Sequence, residues 1–138
     1  MSERLHLRAE SPEDLAPLSA LLQDMAVRAS DIGWSQQGRR LAFVGNRYRW
    51  EAQTADDGIQ TRVRCALRFD FVDHVQRRDW PMATDTVMAM LAITLEPENE
   101  LLIIFSGGPM LRLKAETIDI TLEDLSGPWG TPSVPRHA

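Results

Sequence analysis

Residues 91–113, LAITLEPENELLIIFSGGPMLRL, hold three short apolar runs separated by two turn signals. Leu91, Ile93 and Leu95 alternate ahead of Glu96-Pro97-Glu98-Asn99. Leu101 to Phe105 is unbroken apolar sequence, which Gly107-Gly108-Pro109 stops, and Met110 to Leu113 resumes it. Runs of this length, bounded by Gly, Pro and Asn, predict consecutive strands of an antiparallel meander.

The clearest alternation lies upstream, in Thr61 to Val72. Val63, Cys65, Leu67, Phe69 and Phe71 share one phase, and Arg62, Arg64, Ala66, Arg68 and Asp70 share the other. This pattern predicts a strand buried on one side and wet on the other, bending near Asp73 and continuing through Val75. Asp79-Trp80-Pro81 ends it, and Thr86 to Leu95 enters the meander. Arg40 to Trp50 reads as a neighbouring strand with Leu41 and Phe43 on its inner face. Before it, Ser35-Gln36-Gln37-Gly38 is a turn in which Gly38 can take the left-handed residue. After it, Glu51 to Gln60 lacks periodicity and reads as a loop. Val27, Ala29 and Ile32 begin a further strand.

At the start, Ser11-Pro12-Glu13-Asp14 is a helix signal: a capping hydroxyl, a proline suited to the first turn, and acids at the positive end of the helix dipole. Leu15, Leu18, Leu22 and Met25, with Leu21 beside them, predict an amphipathic helix over about residues 12–25. Residues 116–125 fit two readings. Ile118, Ile120 and Leu122 have strand spacing, whereas Ile118, Leu122 and Leu125 have helical spacing, and β-branching leans toward a strand or mixed segment. Gly127 to Ala138 reads as a tail in which Trp129 packs back on the body.

These elements predict an α+β fold, with one N-terminal amphipathic helix and a strongly curved antiparallel sheet of about seven strands. A pleckstrin-homology-like half barrel is one form that such a sheet takes. Residues 1–126 form the globular domain and 127–138 the tail. The expected core is Leu41, Phe43, Val63, Leu67, Phe69, Leu91, Ile93, Ile103 and Phe105. A chain of 138 residues buries roughly 68% of its unfolded surface, enough to do without disulfides or structural metal.

Its single cysteine precludes an intrachain disulfide framework. The charged first ten residues lack the apolar core of a signal peptide, and no run approaches a membrane span. A bacterial-type cytoplasmic protein is expected. The net charge of −5 argues against nucleic-acid binding, which requires a basic footprint. Residues 39–78, however, carry nine arginines against five acids, a local net of +4. Fourteen of the fifteen basic residues are Arg, a bias that GC-rich coding also produces.

Motifs for chemistry are sparse. His6, His74 and His137 lie far apart and show no metal-ligand spacing, so no metal or cofactor is expected. Asp70, Asp73 and His74 are close enough in sequence for acid–base work, although nothing else converges on them. Cys65 falls in the buried phase, where a thiol is inert. Ser106-Gly107-Gly108 lacks the Gly-x-Ser-x-Gly pattern and the following helix of a nucleophile elbow. Gly107-Gly108-Pro109 is no phosphate loop, because Pro109 lacks the amide that an anion would need.

The remaining candidate is an Arg/aromatic sheet face formed by Arg47, Tyr48, Trp50, Arg62, Arg64 and Arg68, with Arg39, Arg40 and Arg49 nearby. Arginine forks bind carboxylates and phosphates and stack on aromatic rings. The competing explanation is a solvated face whose charges pair across strands.

Several stretches resemble a family in order along nearly the whole chain. These are Asn46-Arg47-Tyr48-Arg49-Trp50-Glu51, Cys65-Ala66-Leu67-Arg68-Phe69-Asp70, Leu91 to Pro97, Phe105-Ser106-Gly107-Gly108 with Leu111-Arg112-Leu113, and Leu122-Glu123-Asp124-Leu125 with Trp129. The family is the proteobacterial domain of unknown function DUF2948. This resemblance implies no activity and no catalytic residue, and Gly-Gly-Pro here replaces a more glycine-rich turn. The expected function is therefore a small non-catalytic binding or regulatory domain for an anionic ligand or acidic protein partner. The alternatives are an enzyme acting on a phosphorylated or carboxylated metabolite, which would need a pocket holding a perturbed acid beside the arginines, and a structural homodimer module.

Overall fold

The computed structural model describes residues 4–48, 61–125 and 129–130. Its strands are β1 (His6–Ala9), β2 (Ala26–Arg28), β3 (Ile32–Ser35), β4 (Arg40–Tyr48), β5 (Thr61–Asp70), β6 (Val72–Arg78), β7 (Val87–Glu96), β8 (Glu100–Phe105), β9 (Met110–Ala115), β10 (Ile120–Asp124) and β11 (Trp129–Gly130). One helix, α1 (Leu15–Leu22), follows β1. The fold is thus mostly antiparallel sheet with a short helix near the N-terminus, as expected in outline. Eleven strands among the described residues replace the expected seven or so, because two runs read as single strands are split and His6–Ala9 and Trp129–Gly130 pair as further strands.

The sheet runs β1-β10-β5-β4-β2-β7-β8-β9-β6, with β3 added to β4 and β11 to β5. It does not close. β5 lies third on this path and β6 lies last, yet only Phe71 separates them in sequence. The sheet must therefore curl back on itself.

Phe71 makes that corner with a left-handed backbone (φ 61°), a rare conformation for a bulky residue. The corner flips the alternation: Phe71, expected inside, is exposed, and Val72 is buried. The bend lies two residues ahead of Asp73, which falls in a bulge between Val72 and His74. Arg39 braces the corner from the other side. Its guanidinium contacts Asp73 at 2.8 Å and Glu116 at 2.6 Å and lies over the Phe71 ring. Arg39 itself takes the left-handed position of the β3–β4 turn (φ 54°), not Gly38.

The meander forms as the sequence indicates. Glu98 and Asn99 take left-handed conformations in the β7–β8 turn, and Gly107 and Gly108 (φ 88° and 113°) do so between β8 and β9. Without a Cβ, glycine occupies such angles at no steric cost. Leu91 is the exception in the expected core. A bulge between Met90 and Ala92 inserts one residue into β7, so the inward phase passes from Met88 and Met90 to Ile93, and Leu91 is 44% exposed. The other expected core residues are all buried.

The helix is shorter than the expected 12–25. Pro12–Asp14 is a 3-10 turn, α1 spans eight residues, and Asp24 breaks the chain with φ 65°. Met25 nevertheless reaches the core from beyond the helix. Leu15, Leu18 and Leu22 fill the space between the two halves of the sheet. Ser19 donates a hydrogen bond to the Ile93 carbonyl and accepts one from its amide, both at 3.0 Å. Backbone groups that β2 is too short to reach are satisfied in this way. Residues 120–124, left open between helix and strand, are β10, paired along its length with both β1 and β5. Trp129–Gly130 pair with Arg62 and Thr61. The expected loop Glu51 to Gln60 lies outside the described residues.

Candidate functional site

The β4–β5 register sets the outer face. Tyr48 pairs with Arg62, Asn46 with Arg64, Val44 with Ala66, Ala42 with Arg68, and Arg40 with Asp70. Tyr48, Arg62, Arg64 and Arg68 therefore share one face, as expected. Trp50 lies outside the described residues. Arg47 does not join them. It has the phase of Leu41 and Phe43, and its side chain is fully buried. Nε and one terminal nitrogen donate to the two oxygens of Asp124, each at 3.0 Å, and the other terminal nitrogen donates to the Tyr48 carbonyl at 3.1 Å. Asp124 also accepts the Leu5 amide at 2.8 Å. Burying two charges is tolerable only with this degree of mutual satisfaction. Arg47 is a structural clamp between β4 and β10, which corrects its place on the exposed patch. The signal was available in the sequence, since Arg47 is an even number of residues from Leu41, as Asp124 is from Leu122.

Three of the four other arginines of this outer face meet an acid. Arg40 and Arg68 donate from Nε to the two oxygens of Asp70, at 2.7 and 3.0 Å. Partial burial pushes the Asp70 carboxyl up, but the hydrogen bonds from Arg40 and Arg68 outweigh it and hold the group below its ordinary range. An acid in this state, with both oxygens engaged, is a poor proton acceptor. Asp73 is engaged by Arg39 across the corner, so Asp70 and Asp73 do not converge on His74. Arg64 lies 3.4 Å from the Asn46 amide oxygen and 4.0 Å from Asp31. Arg62 stacks over the Tyr48 ring at 4.5 Å and donates to its hydroxyl, while its Nε has no hydrogen-bond partner among the described residues.

Cys65 is buried beneath this face. Burial pushes the thiol up to about 12, with Arg47 pulling weakly the other way. A thiol this far from ionising is not a nucleophile near neutral pH. Iodoacetamide is expected to leave Cys65 unmodified in the native protein over hours and to alkylate it fully in 6 M guanidinium, as read by intact mass. Rapid native labelling would show that the strand opens locally.

A second basic face, not grouped in the sequence reading, lies on the outside of β6 and β9. His74 pairs with Lys114, Gln76 with Arg112, and Arg78 with Met110. Two hollows of about 370 and 280 Å³ meet there and share Gln76 and Arg112. Arg112 donates to Glu100 at 2.7 Å. Among the described residues no carboxylate pairs with Arg78 or Lys114. Sequence proximity hid this face, because its cations come from strands 36 residues apart. No group of three or more His, Cys, Asp or Glu among the described residues could hold a metal ion. None of their helices is long and apolar enough to cross a membrane.

Comparison with known proteins confirms the family resemblance. The model of the family described as "Protein of unknown function (DUF2948)" matches residues 5–137. No curated protein and no solved structure matches the chain.

Proposed function

Since the chain belongs to the DUF2948 family, whose description assigns no activity, we propose its function from its own geometry: a non-catalytic binding domain that holds an acidic protein segment on the β6–β9 face. One observation carries this reading. On the β4–β5 face Arg40 and Arg68 share Asp70, Arg64 lies 4.0 Å from Asp31 and Arg62 rests on Tyr48, whereas Arg78 and Lys114 find neither an acid nor an aromatic ring among the described residues. Unmatched surface cations steer and register an acidic partner. β6 is also the last strand of the sheet path, so this face lies at the margin of the sheet, open to an approaching partner. The curled, open antiparallel sheet supports a pleckstrin-like half-barrel architecture, with β10 in place of a closing helix. A lone thiol without a disulfide framework supports a cytoplasmic setting.

Fluorescence anisotropy with a labelled octaglutamate peptide at low salt tests the site. Arg78→Glu with Lys114→Glu is expected to weaken binding at least tenfold, and Arg62→Glu with Arg64→Glu less than twofold. The reverse ranking would move the site to β4–β5. Undiminished binding by both variants would remove charge recognition from either face.

A further inference from the structure

The open seam of the sheet holds a second feature. Among the described residues β3 pairs only with β4, and β6 only with β9. Between them lies a slot of about 300 Å³. Its walls are two cross-strand pairs, Trp34 with Leu41 and Arg77 with Leu111. Leu41 and Leu111 are fully buried and form an apolar floor. Trp80 closes one side and is held edge-on against Phe105 at 5.9 Å. The Arg77 guanidinium lies 5.9 Å above the Trp80 ring, and no carboxylate pairs with it among the described residues.

An arginine on the inward phase of an edge strand is one device against sheet-to-sheet aggregation. That account leaves two features unexplained: the exposed Trp34 (36%) and the empty volume between the two indoles. The volume sits at the small end of ligand sites, which combine apolar and aromatic walls with a few placed polar groups. The chain is bonded across on both sides of the slot. The Val72 amide donates to the Arg39 carbonyl at 3.0 Å, and the Ala29 and Ser30 amides donate to the carbonyls of Thr86 and Thr84 at 2.9 and 2.8 Å. β3 has only four residues, so the span between these closures is roughly 13 Å. A strand cannot run through it, whereas one ring and a short acidic arm fit.

We infer that this slot binds a small aromatic carboxylate, its ring between Trp34 and Trp80 above Leu41 and Leu111 and its carboxylate on the Arg77 fork. A guanidinium already oriented on an indole offers a bidentate partner to a carboxylate, and the acid supplies the counter-charge the slot lacks. Arg77 also borders the larger outer hollow, but the slot uses neither Arg78 nor Lys114 and does not depend on them.

Saturation-transfer NMR and calorimetry with indole-3-propionate on the full chain provide the test, and the uncharged indole-3-propanol is the matched control. The acid is expected to bind at least tenfold more tightly than the alcohol. Arg77→Gln should remove that difference while leaving the alcohol unchanged, and Trp34→Ala should weaken both at least fivefold. Absence of saturation transfer to the acid at millimolar concentration would overturn the inference, as would equal affinity for acid and alcohol in the native protein. A capped peptide bearing the same ring and a carboxylate that binds where the free acid does not would also overturn it. The native comparison stands alone if a variant fails to fold.

Discussion

Arg47→Ala is expected to destabilise the protein by about 3–5 kcal/mol, which lowers the thermal midpoint on the order of 10 °C for a domain of this size. The Arg47 and Asp124 side chains are 0% and 1% exposed, so neither charge has water to fall back on. Removing the guanidinium strands a buried carboxylate whose only remaining described donor is the Leu5 amide. Asp124→Ala should cost a similar amount, because it leaves Arg47 charged in the core and the Leu5 amide unpaired. Arg47→Met combined with Asp124→Leu separates the penalty of breaking the pair from the worth of having it. Buried ion pairs exchanged whole for apolar residues are often neutral in stability. The double variant is therefore expected to regain most of the loss, and with the single Arg47→Met and Asp124→Leu proteins it closes a cycle with a large coupling energy. Denaturant unfolding of the four proteins measures it. An Arg47→Ala protein within about 1 kcal/mol of the native one would mean that the clamp is not formed in solution.

This clamp also marks what the sequence could and could not convey. Alternation identified β4 and β5, and apolar runs between turn residues identified β8 and β9, because neither signal depends on what lies across the sheet. The same rule, applied strictly, places Arg47 inside with Leu41 and Phe43; grouping it with the other arginines by residue type overrode its phase. Leu91 and Phe71 were not recoverable by that rule. A bulge at Met90–Ala92 and a left-handed corner at Phe71 each shift the phase by one residue. Neither has a glycine or proline to announce it. Residues 120–124 stayed ambiguous because pairing with β1 and β5 decides them, and those partners are distant in sequence.

The charged faces depended still more on distant partners. Thirty residues separate Arg40 from Asp70, and 77 separate Arg39 from Glu116. A count along the chain made residues 39–78 look like the reservoir of free positive charge. Folding brings acids to Arg39, Arg40, Arg47, Arg64 and Arg68, sets Arg62 on Tyr48, and leaves Arg77, Arg78 and Lys114 around the edge strand without acids among the described residues. Recognition chemistry of this kind follows from topology rather than composition.

Gly45→Ala is expected to be nearly as damaging as the loss of Arg47, by a different route. Ala26 pairs with Asn46 of β4 and also with Ala89 of β7, so this one residue joins the two halves of the sheet. Gly45 permits the join. A Cβ there would lie 2.5 Å from the Ala26 carbonyl oxygen, 2.6 Å from the Met25 Cε and 3.2 Å from the Val27 Cγ2. The Met25 methyl can swing away, but the Ala26 oxygen is backbone and already fixed by its strand. Relief requires β2 to move off β4, which opens the seam above Met25 and Val27 in the core. Overpacking that only side chains resolve costs about 1–3 kcal/mol, and forced backbone displacement places Gly45→Ala at or above the upper end. Gly33→Ala is the internal control. It is also a strand glycine, but its added methyl would find nothing closer than the Ala42 carbonyl at 3.9 Å. It should lie within about 0.5 kcal/mol of the native protein, as open positions usually do. Urea midpoints for the two variants, at unchanged m-value, decide the matter: equal midpoints would mean that β2 does not cross β4 this closely. If they differ as expected, one hydrogen in place of a methyl holds the two halves of the sheet in register.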